Sequence, residues 1–295
     1  MCRHMQAFPA LWSTRLSRVL VVLGLVVLLS ACTMVTLAYN RLPTLVYWRV
    51  DGMFDLSADQ SALLKPLIED WHRWHRREHL PRYAQALRDW QALAVSDLTP
   101  GQVCATFDQV RGWALEAVER FMPLMVELAP TLSAAQIDHW DRHQAKQDAS
   151  FAEDFGDAPG TVSDKRLKRA VDRAEMFYGP LDEAQRQWLR ERLARSAFDP
   201  AMALGERRAR HADALSVVAR IQAGAVADQA LRQWWGRTVD SPRPAYRAYT
   251  EAAVQDACAQ FAELHNRTTP AQRSRAVQKL QSFERDFLAL SNGQP

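Results

Sequence analysis

The sequence predicts an all-α fold, and three observations support that prediction. Apolar residues recur at helical spacing over most of residues 57–295. Capping-box sequences recur where these stretches begin. Glycine is scarce, with 11 in 295 residues, and no run of alternating β-branched residues is bounded by turns. We therefore expect a bundle of about nine or ten helices, with antiparallel neighbours around one continuous core.

Five predicted helix starts share one capping pattern. A Ser, Thr or Asp side chain accepts from a free amide of the first turn, and a Gln three residues later reaches back to the amide of the capping residue. Because the starts are unevenly spaced, they indicate separate helices rather than a solenoid. The pairs are Ser57 and Gln60, Thr99 and Gln102, Ser133 and Gln136, Asp182 and Gln185, and Thr269 and Gln272.

Apolar stripes between these starts define the helices in chain order. In the first helix, Pro81 predicts a break or a kink. Residues 156–164 form the clearest loop and a possible internal domain boundary. The later stripes predict helices from about Pro200 to Ala223, through Leu231 to Trp235, from Tyr246 to Leu264 and from Ala276 to Leu290.

Residues 1–31 have the pattern of a secretory signal peptide. They contain Arg3, Arg15 and Arg18 and no acidic residue, and an apolar run follows from Val19 to Leu29. This run is too short to span a bilayer comfortably as a permanent helix. Small residues then precede a cysteine, so we expect export and cleavage at this point.

The sequence Leu29-Ser30-Ala31-Cys32 resembles the lipobox of bacterial lipoproteins. The resemblance implies a diacylglyceryl group, with chains such as palmitate, on the sulfur of Cys32. It also implies cleavage before Cys32 and acylation of the new amino group. Thr33, rather than the Asp that retains similar lipoproteins at the inner membrane, favours the outer membrane facing the periplasm. An uncleaved membrane anchor with an incidental cysteine is the alternative.

The lipidation site divides the chain into three parts. Residues 1–31 are the predicted signal peptide, residues 32–56 the lipidated N-terminus and membrane-proximal segment, and residues 57–295 the helical domain. Tyr39, Tyr47 and Trp48 in the middle segment could lie among the lipid head groups, where amphipathic rings are common. Packing of these rings onto the domain is the favoured alternative.

The charge balance argues against binding to nucleic acid. The chain has 37 basic and 34 acidic residues, and removal of residues 1–31 takes away three arginines and no acid. The remaining chain is neutral, whereas non-specific nucleic-acid binding depends on positive charge. The expected partners are the membrane, through the lipid anchor, and a protein client or another envelope component. No cofactor is expected.

Cys104 and Cys258 are the cysteines that remain after cleavage and lipidation. In an oxidising compartment they could form a disulfide. They could equally be two small buried side chains that never meet. Each precedes a phenylalanine by three residues, Phe107 and Phe261.

Two groups of histidines have spacings that occur in metal sites. His72, His75 and His79 lie on one predicted helix, and His139 and His143 lie on another. The residue after His139 is Trp140 rather than the Glu of a helical zinc hydrolase. We expect no metal site and no enzyme activity, and interpret the first group as a solvated polar face whose tryptophans, Trp71 and Trp74, point inward. A metal-dependent envelope hydrolase is the alternative function.

The whole chain resembles an uncharacterised family of helical lipoproteins from Gram-negative bacteria, described only as a domain of unknown function. The lipobox carries this resemblance together with residues 39–43, Tyr47-Trp48 and residues 54–60. The family implies no catalytic residues.

A second resemblance concerns the helix starts. Residues 98–102, Leu-Thr-Pro-Gly-Gln, match the Leu-Thr-x-x-Gln motif of Spy-like periplasmic chaperones, and residues 56–60 and 132–136 match it with Ser in place of Thr. Those chaperones are cradle-shaped helical dimers that hold unfolded clients. The resemblance implies a non-enzymatic binding function.

Overall fold

The computed structural model describes residues 34–156 and 161–293. The predicted signal peptide of residues 1–31 and the predicted lipidation site Cys32 lie outside the described residues, as do residues 157–160. The described residues form helices and turns without a strand, which confirms the predicted all-α class. No helix in these two ranges combines the length and apolar character that crossing a bilayer requires.

The described ranges contain eleven α-helices, numbered here in chain order. Nine begin after residue 57, as the sequence predicted, and two more form within the membrane-proximal segment. The helices are α1 (Met34–Asn40), α2 (Leu42–Phe54), α3 (Ala58–Leu93), α4 (Pro100–Leu128), α5 (Ala134–Phe155), α6 (Asp164–Tyr178), α7 (Glu183–Ala194), α8 (Pro200–Gln222), α9 (Ala227–Val239), α10 (Pro244–Asn266) and α11 (Pro270–Ser291).

All five predicted capping boxes form. At the start of α3, for example, the Gln60 amide donates to Ser57 Oγ at 3.2 Å, and the Ser57 amide donates to Gln60 Oε1 at 2.9 Å. This closure uses the side-chain oxygen of the glutamine and leaves its Nε2 group available as a donor to another helix.

Gln60 and Gln136 use this free donor to join the starts of α3 and α5. Gln60 Nε2 donates to Gln136 Oε1 at 3.2 Å, and Gln136 Nε2 donates to Gln60 Oε1 at 2.7 Å. Each Nε2 also donates to the carbonyl two residues before the opposite cap, on Thr131 and on Asp55. Both side chains are buried, and a buried polar group without a hydrogen bond costs free energy of folding. The mutual hydrogen bonds of the two glutamines avoid this cost.

The same arrangement joins the starts of α7 and α11. Gln185 and Gln272 exchange amide hydrogen bonds of 2.8 and 3.0 Å. Their remaining hydrogens go to the carbonyls of Arg267 and Pro180, again two residues before the opposite cap. The glutamines of four capping boxes therefore hold four helix starts together in two pairs.

Helix α3 is the central element, and it continues through Pro81, where the sequence predicted a break or a kink. Its 36 residues span about 54 Å. Pro81 and Arg77 are both exposed, so the Arg77 carbonyl that lacks a donor can bond water. Helix α11 packs antiparallel to its C-terminal half, where Gln91 donates to Glu284 at 2.7 Å. Tertiary packing thus maintains the helix on both sides of the proline.

Buried apolar side chains form three clusters, which corrects the prediction of one continuous core. The largest cluster joins α3, α4, α8 and α9, the second joins α6, α7, α10 and α11, and the smallest lies between α4 and α10. On α3 the first cluster extends to Ile68. The next buried residues on that helix include three histidines, which apolar periodicity could not indicate.

Candidate functional site

A disulfide joins α4 to α10. Cys104 and Cys258 have Cα atoms 5.4 Å apart, and 154 sequence positions separate them. The two helices are antiparallel, because at the other end of the pair the Leu98 amide donates to Asn266 Oδ1 at 2.8 Å. Of the two alternatives that the sequence left open for these cysteines, the structure contains the disulfide.

An apolar groove of about 650 Å³ lies beside this disulfide, between α3, α4, α6, α10 and α11. Small-molecule sites typically enclose roughly 300–1,000 Å³. Phe107 and Phe261, one turn after each cysteine, meet at the groove edge-to-face with ring centroids 6.5 Å apart. Helical side chains lean toward the N-terminus of their helix, so both rings lean toward the disulfide. The disulfide therefore fixes one wall of the groove.

The groove is open to solvent along an apolar rim. Phe107, Val110 and Phe261 remain 38%, 45% and 43% exposed. Large exposed apolar side chains that converge on one concave site mark a binding surface more often than scattered ones do. The opposite wall carries mainly aliphatic and aromatic side chains, namely Leu87, Trp90, Leu93, Phe177, Leu280, Phe283 and Phe287.

His265 and Tyr178 lie among the lining residues, but their polar atoms already form hydrogen bonds within the protein. His265 Nε2 lies 2.9 Å from the carbonyl oxygen of Ser96, which can only accept, so Nε2 carries a hydrogen. The Tyr178 hydroxyl then donates to Nδ1 at 2.9 Å. Burial lowers the pKa of His265 and raises that of Tyr178 to about 12, so both are neutral. These two side chains therefore form part of the groove wall but have little hydrogen-bonding capacity left for a ligand.

The polar groups that remain available at the groove are mainly donors, apart from the hydroxyl oxygen of Thr106. Arg111 is exposed, lines the groove and has no carboxylate partner among the described residues. Lys279, whose Nζ lies 4.7 Å from the centroid of the Phe283 ring, is not itself a lining residue. Gln102 uses its Oε1 in its own capping box and keeps its Nε2 free. No Asp or Glu lines the described groove. The site therefore combines apolar walls with positive charge.

The histidines of α3 are buried, which corrects the predicted solvated face. His72, His75 and His79 are 7%, 9% and 0% exposed. Tyr39 from α1 packs against His72 with ring centroids 4.7 Å apart and ring planes tilted by 40°, and Phe287 from α11 contacts Tyr83 beside the cluster. The partners that cover these rings come from distant parts of the chain, so the local pattern of α3 could not reveal the burial.

A chain of hydrogen bonds runs through this cluster. The Tyr39 hydroxyl lies 2.8 Å from His75 Nδ1, and the Tyr83 hydroxyl lies 3.2 Å from His75 Nε2 and 3.0 Å from His79 Nδ1. If Tyr39 donates first, every link is satisfied and His79 Nε2–H points toward Glu116, at 3.7 Å. Burial is the main cause that lowers the pKa of His75 to about 4 and raises that of Tyr83 to about 12.

The described residues contain no group of three or more side chains that could hold a metal ion. Both ring nitrogens of His75 are engaged with tyrosine hydroxyls. In the second candidate pair, His139 Nε2 donates to the Gly52 carbonyl at 3.2 Å, while His143 Nε2 has no hydrogen-bond partner. The structure thus brings the first three histidines together in a packed tyrosine–histidine cluster. In the second pair, one ring is hydrogen-bonded to a carbonyl and the other has an Nε2 without a hydrogen-bond partner.

Helices α1 and α2 present an uncovered apolar face directly after the predicted lipidation site. Tyr39 and Tyr47 pack inward, as favoured, and Tyr47 bonds Ser61 Oγ at 3.0 Å. Trp48 instead is 62% exposed, and Leu37 and Leu45 are 55% and 45% exposed. Backbone hydrogen bonds link Leu37, Arg41 and Leu45 on successive turns, and Trp48 follows one turn later. This surface, Leu37, Arg41, Leu45 and Trp48, is called the N-terminal face below.

The fold and groove define an all-helical protein with a concave apolar site on a disulfide-linked helix pair. The model of a family of unknown function, DUF6279, matches residues 52–233, more than half of the chain, so the protein belongs to this family. The matched range includes the Gln60–Gln136 pair, whereas α10 and α11 of the groove lie outside it. Comparisons with curated proteins and with solved structures found no match.

Proposed function

We propose that this protein is a non-enzymatic lipoprotein of the cell envelope, anchored through Cys32 to a membrane and facing the periplasm, with the outer membrane favoured. Its helical domain binds an apolar envelope component in the groove between α4, α10 and α11. The groove is the observation that carries the binding function, because a concave, mostly apolar site with a few convergent polar groups is the usual form of a ligand site.

The N-terminal face supports a position close to the bilayer. Helix α2 contributes Val46, Tyr47, Val50 and Phe54 to the first core cluster, yet its opposite side also carries apolar residues. A helix that is apolar on both sides is usually covered on both sides. Trp48 with Arg41 suits the head-group region of an anionic bilayer, and the lipid-bearing Cys32 would lie only two residues before α1.

The binding function is testable with an uncharged apolar dye such as N-phenylnaphthylamine, whose fluorescence rises in an apolar site. Ala114 is small, exposed and part of the groove wall, so Ala114→Trp fills the groove without disturbing the buried core. Ala105→Trp places the same ring on an exposed position of α4 that does not line the groove. We expect dye binding to the wild-type protein and to Ala105→Trp, and at least a several-fold loss in Ala114→Trp.

Equal dye binding by both variants would contradict the groove as the binding site.

The anchor has a separate test, because Cys32→Ser should leave an uncleaved precursor that does not incorporate radiolabelled palmitate. Normal cleavage and labelling of Cys32→Ser would contradict the lipoprotein assignment while leaving the groove experiment valid.

A further inference from the structure

We infer that the groove accommodates a single acyl chain of a free anionic amphiphile, with the anionic head group at Arg111. The inference rests on the proposed binding function and names the chemical class of the ligand. Its support comes from the apolar walls, from the sign of the charges at the rim and from the hydrogen-bonding capacity of the lining residues.

The charge at the groove favours an anion. Arg111 on α4 lines the groove without a carboxylate partner, although most arginines among the described residues pair with acids. Arg192, for example, binds both Asp256 and Glu263. A guanidinium group that is left free beside an apolar site suits a carboxylate or a phosphate, which it can bind in a bidentate manner.

The hydrogen-bonding capacity distinguishes an acyl chain from a peptide. An extended peptide brings one backbone N–H donor per residue, and buried donors need acceptors. Few side-chain acceptors at the groove remain, because Gln102 Oε1 binds the Thr99 amide and His265 Nδ1 binds the Tyr178 hydroxyl, which leaves the hydroxyl oxygen of Thr106. Methylene groups need no such partners and gain about 0.8 kcal/mol each on burial. A peptide would therefore bind with unsatisfied amides, whereas an acyl chain would not.

The groove has a length that suits a chain. Arg111 and Gln102 both line it and stand nine positions apart on α4, which corresponds to roughly 13 Å along the helix axis. A ligand with its head at Arg111 can extend past Val110 and Phe107 toward Gln102. The acyl chains expected on Cys32 carry ester, thioether and amide links but no anion, so they would leave Arg111 without a partner.

Photochemical labelling can test the inference on the mature, lipid-bearing protein in phosphatidylethanolamine vesicles. The probes are a trace of a diazirine-tagged long-chain fatty acid and, in a parallel sample, its uncharged methyl ester. We expect the acid to label groove residues on α4, α10 and α11 about tenfold more than the ester does, because hydrogen bonds to a charged group exceed neutral ones in strength. Ala114→Trp should abolish this labelling.

Arg111→Gln should lower labelling by the acid to the level of the ester. Arg220→Gln, which removes an exposed arginine from α8 far from the groove lining, should leave it unchanged. Equal labelling by acid and ester, or labelling that ignores Arg111, would overturn the inference while dye binding could still support the proposed function. Absence of groove labelling, including exclusion by the protein's own acyl chains, would also overturn it.

Discussion

The side-chain amides of Gln60 and Gln136 hold two helix starts together through a pair of hydrogen bonds, 3.2 and 2.7 Å long. Both glutamines occupy the last position of a capping box, and both also close that box. One residue type therefore caps its own helix and joins it to another. Gln185 and Gln272 show the same relationship, whereas Gln102 in the remaining box is exposed and has no glutamine partner.

Replacement of Gln136 should destabilise the protein more than the loss of one cap does. Gln136→Leu removes the partner of Gln60 and leaves the Asp55 carbonyl and the Ser133 amide without their donor and acceptor. A buried unsatisfied group costs about 1–3 kcal/mol, so we expect a total loss of about 2–4 kcal/mol in urea denaturation. Gln102→Leu is the control and should cost about 1 kcal/mol. Equal losses in the two variants would refute a structural role of the pairing.

Removal of the disulfide should destabilise the domain and loosen the groove wall. The bridge spans 154 positions, and in the chain-entropy account a loop of this length stabilises the folded state by about 4–5 kcal/mol, less any native strain. The double variant Cys104→Ser/Cys258→Ser should lose a large part of this stability and bind the apolar dye more weakly. Thiol titration of the denatured, non-reduced wild-type protein checks the bridge directly. Two free thiols per mature chain would refute it.

The buried histidines should make stability depend on pH. Burial, together with the charges of His79 and His72, lowers the pKa of His75 from 6.5 to about 4. Between these values the unfolded chain binds a proton that the folded chain does not. The contribution of neutral His75 to the unfolding free energy is therefore fully present above pH 6.5 and is lost as the pH falls toward 4. For His75 alone this contribution is on the order of 3 kcal/mol. Lowered pKa values at His72 and His79 act in the same direction.

Urea denaturation at a series of pH values measures this dependence. The groups that face the cluster are Tyr39 from α1, Tyr83, Arg76 and Arg82 from α3, and Glu116 from α4. His75→Gln should reduce the slope of the unfolding free energy against pH by about one proton in this window. An unchanged slope in His75→Gln would exclude the cluster as the origin.

Trp48 should contact lipid when the mature protein is bound to vesicles. With brominated acyl chains in the bilayer, we expect quenching of part of the tryptophan fluorescence, because Trp48 lies on the N-terminal face. Trp48→Phe should remove most of this quenching. Trp188→Phe is the matched control, since Trp188 packs against the second core cluster under Arg267. Vesicle flotation measures the membrane attachment of each variant separately. If the Trp48→Phe variant floats with the vesicles and its fluorescence is still quenched, the contact of Trp48 with lipid is contradicted while the anchor is not.

Much of the fold was predictable because its signals are local. A capping box lies within four residues, and all five boxes form where the sequence placed them. The predicted helix from about Pro200 to Ala223 corresponds to α8. The role of the glutamines between helices was not predictable, since nothing in the sequence around Gln60 indicates that Gln136, rather than Gln185, lies opposite.

The groove and the histidine cluster escaped prediction for the same physical reason. Phe107, Phe261 and Phe283 have the helical spacing of core residues, and periodicity gives the apolar face of a helix without saying whether another helix covers it. His75 appeared solvated because its covering partner, Tyr39, precedes it by 36 positions. The phenylalanine three residues after each cysteine was the sequence signal nearest to the groove.

Native mass spectrometry of the protein released gently from its own membrane tests the central claim most directly. We predict a covalent mass on the peptide that begins with Cys32, together with one non-covalent acidic amphiphile per chain. The non-covalent mass should be absent in Ala114→Trp and retained in Ala105→Trp. An unmodified N-terminus, or a chain without bound amphiphile in the wild-type protein, would contradict the account of an anchored protein that binds an amphiphile in its groove.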